Sequence, residues 1–334
     1  MHMADALLSP AVGTTMYIVS TAAIARSTSK IKLDVIERKI PLMAVTGSFI
    51  FAAQMINFTI PGTGSSGHIG GGMMLAAMLG GYPAMLTLSA VLLIQALFFA
   101  DGGLFALGAN LFNIAVIPCL IVYPLIYKPI LKKGIDAKRL TIASILSAIV
   151  ALQLGAFGVV IQTLFSGVTA LPFAAFSLMM QPIHLAIGIV EGVVTALVLN
   201  FVYKTRPEIL DDAIETKGTK PKFRLRKLLI GFGIASLLIA GGLSYFASVN
   251  PDGLEWSIQN VAGVSELFSN ASIHAFFAKI QELTSFLPGY APSNDPNGTG
   301  LAGIIGSLIT FALAGGVGVL IYVVKKKKIK STSA

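Results

Sequence analysis

Four histidines are the candidate metal ligands of this 334-residue chain, and one of them directly follows the initiator methionine. The α-amine of Met1, the amide nitrogen of His2 and the His2 imidazole Nδ1 can close two fused chelate rings on one metal ion. One further imidazole would complete a square plane of four nitrogens, a geometry that suits Ni(II) or Cu(II). The pattern predicts a metal-binding chain end, although a histidine at position two also arises by chance.

His68 is the first candidate for the missing imidazole. It lies in the glycine-rich stretch Pro61–Gly72, PGTGSSGHIGGG, where glycines permit tight turns and a close approach of the backbone to a ligand. A phosphate-binding loop is a poor interpretation because Gly-Lys-Ser/Thr is absent. A single loop histidine is more often structural. A pair with His2, on the same side of the topology given below, favours a shared metal site.

Asp101 is the centre of a second polar cluster. It ends an apolar run, and Asn110 and Asn113 after it share a helix face because they are three residues apart. Carboxylates often orient the imidazoles that bind a metal, so Asp101 is a candidate for that role. The alternative is a helix-capping aspartate accompanied by amide bonds between helices.

His184 and Glu191 are seven residues apart and therefore share one face of a predicted helix. Ionisable groups inside a membrane are costly and usually functional. The pair would lie on an ion path or bond neighbouring helices. A zinc protease is excluded because the pattern His-Glu-x-x-His is absent.

Membrane-spanning helices must position these residues. Hydrophobic residues make up 55% of the chain and charged residues 12%, against about 25% charged residues in a soluble domain. We predict an all-α polytopic membrane protein with a seven-helix bundle and a two-helix C-terminal hairpin. The third of its nine spans is short and must be shielded by protein. The predicted spans are residues 9–25, 40–58, 70–82, 84–100, 104–127, 140–165, 181–203, 228–248 and 301–324.

Basic residues predict the orientation of these spans. Of the 24 Lys and Arg residues, 23 lie in residues 26–39, 128–139, 204–227 and 325–330. Short basic loops are cytoplasmic, and nine crossings place all four inside when the N-terminus is outside. The net charge of +9 is then a topology signal, and no nucleic-acid partner is expected. Residues 1–10 contain no Lys or Arg, so we expect no cleavable signal peptide.

The same patterns divide the chain into parts. We predict a metal-binding transmembrane domain at 1–203, a basic cytoplasmic linker at 204–227 and a hairpin at 228–324, followed by a basic cytoplasmic tail at 325–334. The hairpin encloses an external segment, 249–300, with net acidity. This segment would concentrate cations or help load the site, unless it is only a solubilising loop.

Several motifs together resemble one transporter family. They are Met1-His2, Ile60-Pro-Gly-Thr with Gly67-His68, Ala100-Asp101-Gly-Gly with Gly108-Ala-Asn110-Leu-Phe-Asn113, and His184-Leu-Ala-Ile-Gly-Ile-Val-Glu191. Residues 1–203 resemble the substrate-binding M component of nickel and cobalt transporters of the energy-coupling factor type. Pro251-Asp-Gly-Leu-Glu255 is similar to the signature of the N component, here fused behind it. The resemblance implies Met1, His2 and His68 as metal ligands, while Ala6 stands where the family usually has glycine.

The resemblance also implies an ATP-driven importer of the prokaryotic cell membrane and not an enzyme. Ni2+ or Co2+ is the expected transported substrate, with no bound catalytic cofactor. The implied partners are the lipid bilayer, a transmembrane coupling subunit (T, Q-type) and cytoplasmic ATP-binding subunits (O-type), since the chain has no P-loop of its own.

Several alternatives stay open at this point. Square-planar geometry favours nickel, and the alternative is a cobalt importer that feeds cobalamin biosynthesis. An intramembrane metalloenzyme would need open metal positions, which a four-nitrogen chelate closes in its plane. A passive metal channel would need weak, multiple sites along a pore.

Overall fold

The computed structural model describes residues 1–167, 171–214, 226–264, 267, 272–290 and 298–332. Two short strands, Phe58–Ile60 (β1) and Ser65–Gly67 (β2), form one antiparallel hairpin. The remaining described elements are helical. The helices are Pro10–Lys30 (α1), Leu33–Gln54 (α2), Gly72–Leu79 (α3), Gly81–Phe99 (α4), Leu107–Leu131 (α5), Ala137–Ser166 (α6), Phe173–Thr205 (α7), Pro207–Ile214 (α8), Arg226–Gly241 (α9), Gly253–Ala262 (α10), Ser272–Thr284 (α11) and Gly298–Thr332 (α12).

Long apolar helices dominate this structure. Within the described residues, five helices are long and apolar enough to cross a membrane: α4, α5, α6, α7 and α12. The expectation of an all-α multi-pass membrane protein is confirmed at this level, with the β1–β2 hairpin as the exception. The count of nine crossings stays a prediction.

The third predicted span, 70–82, forms only a short helix. α3 has eight residues, all of them buried, and a rise of 1.5 Å per residue makes it about 12 Å long. A bilayer core is about 30 Å thick, so α3 alone does not cross it. Its complete burial in protein is what short or irregular backbone at membrane depth requires. α3 meets α4 at Gly80, whose φ of +80° suits glycine.

The described parts of the predicted basic segments lie at one end of the bundle. Three contacts join them: Lys325 Nζ donates to the Ile31 carbonyl at 2.6 Å, Arg38 pairs with Asp212 at 3.1 Å, and the Tyr203 hydroxyl donates to the Ile135 carbonyl at 2.7 Å. These contacts place the ends of α1, α7 and α12 beside the starts of α2 and α6. Part of the predicted linker, residues 215–225, lies outside the described residues.

The C-terminal hairpin packs directly on the first part of the chain. α12 lies against α2 through small residues: a Cβ added to Gly47 would come within 3.2 Å of the Ala314 Cβ. A Cβ on Gly306 would meet the Phe51 ring at 2.1 Å. Such close backbone approach is the usual way helices associate in lipid. The hairpin can therefore bring its connecting segment over the opposite, non-basic end of the bundle.

Candidate metal centre

The first residues of the chain fold back into the bundle. Met3 and Leu8 are fully buried. The side chain of Asn110, on α5, hydrogen-bonds the backbone of Met3. Its Oδ1 accepts a hydrogen bond from the Met3 amide at 2.7 Å, and its Nδ2 donates to the Met3 carbonyl at 3.2 Å. Asn110 thus fixes the chain immediately after His2.

Asn113 lies one turn further along α5, and its side-chain hydrogen bonds join it to other side chains rather than to the backbone. It exchanges two hydrogen bonds with Gln162 of α6, at 2.8 and 3.0 Å, and its Nδ2 lies 3.7 Å from the Met3 sulfur. The asparagine therefore joins α5 to α6 behind the chain end. The sequence pattern paired it with Asn110, but only Asn110 holds the backbone.

Ala6 occupies ordinary helical backbone. It lies in the short 3₁₀ helix Asp5–Leu7, and the only described non-glycine residues with positive φ are Ala100 and Tyr290. The glycine usual in the family is therefore not required here for its conformational freedom. Asp5 holds this turn by accepting from the Ala106 amide at 2.9 Å.

The His2 imidazole is buried against Asp101. Its Nδ1 lies 3.0 Å from the Asp101 Oδ1, and its Nε2 is buried without a hydrogen-bond partner among the described residues. Burial raises the pKa of Asp101, but the charge and hydrogen bond of His2 and a hydrogen bond from Tyr290 outweigh it, so that the pKa falls to about 2. Asp101 is therefore an ionised carboxylate that orients His2.

The His68 ring lies beside the His2 ring. Their centroids are 5.4 Å apart and their planes differ by 9°. Two imidazoles on one ion, with metal–nitrogen distances of about 2.0–2.1 Å, have centroids roughly 4.5–6.5 Å apart. The observed separation falls in that range, so the spacing of the two rings is compatible with a shared ion.

His68 is also in the protonation state that binds metals. Its Nδ1 lies 3.1 Å from the Ile69 carbonyl, and a carbonyl only accepts, so Nδ1 carries the proton and Nε2 keeps its lone pair. Burial, then the positive charges of the chain end and His2, lower the pKa of His68 to about 4. The ring is neutral at physiological pH, as metal binding requires.

Glu191 holds the loop that follows His68. The carboxylate is 1% exposed, and its two oxygens accept from the amides of Gly70 and Gly71 at 2.7 and 3.1 Å. Gly71 has a φ of +74°, which favours glycine. The sequence predicted an ion path or a helix–helix bond for Glu191, whereas the structure shows a side chain of α7 that bonds a loop.

His184 lies two turns before Glu191 and faces the same region. Its Nδ1 lies 2.8 Å from the Met180 carbonyl, which places the proton on Nδ1. Its Nε2 is buried and has no hydrogen-bond partner among the described residues. His184 is thus a second candidate, after His68, for the imidazole that joins the chain end.

The chain-terminal amine contacts a residue that sequence reasoning did not assign to the site. The Met1 nitrogen lies 3.1 Å from Oδ2 of Asp252. Burial raises the pKa of Asp252, but the positive chain end and a helix amide outweigh it and hold the pKa well below its usual range. The Pro251–Glu255 motif was a signal for this residue, but nothing local shows that it meets the chain end.

A cavity of about 20 Å³ lies between Met1, His68, His184 and Asp252, enough for one particle the size of water. Its wall is formed by Met1, Gly67, His68, Gly70, Ile114, Leu152, His184, Ile187, Asp252 and Gly253. Within the described part of the chain, no three His, Cys, Asp or Glu residues group closely enough to hold a metal ion. The amine of the chain end is a further nitrogen donor beside these side chains.

Replacing Glu191 with glutamine is expected to weaken Ni2+ binding roughly tenfold, the lower end of the range for residues that orient a metal ligand. Glutamine offers one oxygen to two amides, and its NH2 group would face the other amide. Equilibrium dialysis of the purified protein measures the change. Glu37→Gln, an exposed carboxylate at the basic end, is the matched control, and wild-type affinity in Glu191→Gln would contradict the role.

Comparison with known proteins identifies the family. Residues 2–209 match the family model CbiM, described as the cobalt uptake substrate-specific transmembrane region. The chain belongs to this family. Residues 226–323 match the PDGLE domain, so the predicted M component fused to an N component is confirmed. The CbiM family is a transporter family, which also confirms that the chain is not an enzyme.

Relatives of this CbiM-family chain include proteins with both parts. A putative fused nickel transport protein of Archaeoglobus fulgidus is 30% identical over 94% of this chain and 96% of its own. The fused nickel transport protein of Rhodobacter capsulatus is 29% identical over 93% and 95%. The crystal structure of a transition metal transporter matches with a TM-score of 0.54 at 27% identity, covering 65% of this chain and 100% of that one.

Proposed function

We propose that this chain is the substrate-specific component of an ATP-driven importer that captures Ni2+ through its own amino terminus. One observation carries the proposal: Met1 and His68 border one small cavity, and the His2 ring lies nearly parallel to the His68 ring. Nitrogen donors from a chain end and from a distant loop therefore converge where a single ion fits.

Four nitrogens supply the proposed site. They are the Met1 amine, the His2 amide nitrogen, the His2 imidazole and Nε2 of His68. In the structure His2 Nδ1 faces Asp101, whereas the fused chelate uses Nδ1 for the metal. A half-turn of the ring frees Nδ1 and brings Nε2 to the edge that faces Asp101. Asp101 would then support the loaded ring through Nε2–H, as carboxylates commonly do at metal sites.

Nickel is the favoured cargo. A planar set of four nitrogens provides the geometry that suits Ni(II), and the two full-length relatives are named as nickel transport proteins. Cobalt is the alternative, because the family model describes cobalt uptake and a partial relative of Methanocorpusculum labreanum, 31% identical over 52% of this chain, is named as a putative cobalt transport protein.

The basic end of the bundle supports the proposed orientation. Clustered Lys and Arg favour the cytoplasmic side, so the chain end and Asp252 would face outward and the C-terminus inward. Metal would then enter at the cavity. A transmembrane coupling subunit and cytoplasmic ATP-binding subunits would drive its release, since the chain itself has no P-loop motif.

Equilibrium dialysis separates capture from a passive channel. The purified protein is expected to bind one Ni2+ per chain with submicromolar affinity. It should bind Co2+ more weakly, because square-planar coordination by four nitrogens favours Ni2+ over Co2+. A channel works through weak, multiple sites. Ni2+ binding too weak to detect would therefore contradict capture, and tighter binding of Co2+ would replace nickel by cobalt.

A further inference from the structure

The Pro251–Glu255 motif packs on the β1–β2 hairpin, which directly precedes His68. The Ser66 amide of β2 donates to the Pro251 carbonyl at 2.8 Å, and the Ser66 hydroxyl donates to the Asn250 carbonyl at 2.8 Å. One turn later, the Trp256 indole donates to the Thr63 carbonyl at 2.9 Å. The motif therefore has a fixed place beside the cavity.

The two oxygens of Asp252 do different work. Oδ1 accepts from the amides of Leu254 and Glu255, at 2.8 and 2.9 Å, and so caps α10. The Glu255 carboxylate accepts from the Asp252 amide at 3.2 Å and completes a capping box. Oδ2 takes no part in the cap and lies 3.1 Å from the Met1 amine.

Gly253 and Leu254 pack the motif against helix α7, beside His184. A Cβ added to Gly253 would lie 3.1 Å from Cε1 of His184 and 3.2 Å from the Ile187 side chain, tighter than ordinary contact. Leu254 is 2% exposed. The backbone at 253 can approach His184 because glycine has no side chain, and Leu254 anchors the helix by burial.

We propose that Asp252 is a positioning residue of the metal site: its Oδ2 holds the chain-terminal amine in the cavity, so that the fused PDGLE part completes the site of the CbiM part. This inference rests on the proposed capture of metal by the chain end. When Ni2+ binds, the amine and the His2 amide each lose a proton to solvent, so the loaded site keeps a single positive charge beside this carboxylate.

Asp252→Asn isolates this role. Asparagine retains a capping oxygen for α10, but its NH2 group cannot accept from the amine. We expect the Ni2+ affinity of the purified full-length chain to fall at least tenfold, the lower end of the usual range for groups that orient a metal ligand. Glu282→Gln removes an exposed carboxylate from the same external segment and is expected to leave the affinity within twofold of wild type.

Two further measurements separate positioning from other roles. Trp256 is the only tryptophan of the chain, so its fluorescence emission reports docking of the motif and should not change in Asp252→Asn. The d–d absorption band of bound Ni2+ should keep its position, because the same four nitrogens bind the ion. Asp252→Ser, which also retains a capping oxygen, repeats both measurements with a second side chain.

Distinct results would overturn the inference. Wild-type affinity in both variants would show that Asp252 does not position the amine, and a shifted absorption band would make Asp252 a metal ligand instead. Loss of affinity accompanied by a changed Trp256 emission in both variants would reduce Asp252 to a helix cap. Failure of the wild-type chain to bind Ni2+ would instead refute the proposed function itself.

Discussion

One additional methionine before Met1 is expected to abolish Ni2+ uptake while the protein still inserts into the membrane. The addition turns the Met1 amine into a peptide amide, removes it from Asp252 and breaks the fused chelate. The cavity of about 20 Å³ also has no space for another residue. Uptake of radiolabelled nickel by cells that carry the complete transporter measures the effect, and we expect a loss of at least about 100-fold, beyond the 10–100-fold range for residues that only support a ligand.

The matched control adds the same residue at the opposite end, after Ala334. This variant has the same composition and should retain wild-type uptake. Membrane abundance of both variants, measured by immunoblot, excludes a loss of insertion. Undiminished uptake by the N-terminally extended chain would rule out a ligand role for the Met1 amine and with it the chelate.

His68→Ala is expected to lower Ni2+ affinity at least about 100-fold, more than the 10–100-fold typical of groups that only orient a ligand. It removes the fourth nitrogen of the proposed plane. The ring lies 5.4 Å from that of His2 and its lone pair is on Nε2. Equilibrium dialysis of purified variants gives the affinities.

His184→Ala provides the critical comparison. Its Nε2 is buried without a partner among the described residues and borders the same cavity, but its ring is not paired with His2. We expect a loss smaller than that of His68→Ala. His274→Ala removes a histidine outside the cavity, with its ring 5.1 Å from that of Phe105, and should retain affinity. A larger loss in His184→Ala than in His68→Ala would move the fourth ligand to α7.

The sequence alone indicated the candidate donor atoms and the membrane environment of this protein. His2 is joined directly to Met1, so the spacing of the nitrogens in this pair does not depend on folding. Hydrophobicity and the four basic segments are sums over many residues and predict a membrane protein. The glycine-rich stretch around His68 indicated close packing of the backbone. The structure has such packing, since the amides of Gly70 and Gly71 donate hydrogen bonds to the Glu191 carboxylate.

Only the tertiary structure decided how these groups meet. Asp252 reaches Met1 across 251 residues, and Glu191 reaches Gly70 across 121. Periodicity reports which face of a helix a residue occupies, but it does not report which loop packs on that face. The short length of α3 also depends on tertiary packing. Protein surrounds this helix on all sides, so it does not have to cross the bilayer alone. Local sequence patterns thus indicated the candidate metal-binding residues, whereas long-range packing determined which residues contact them.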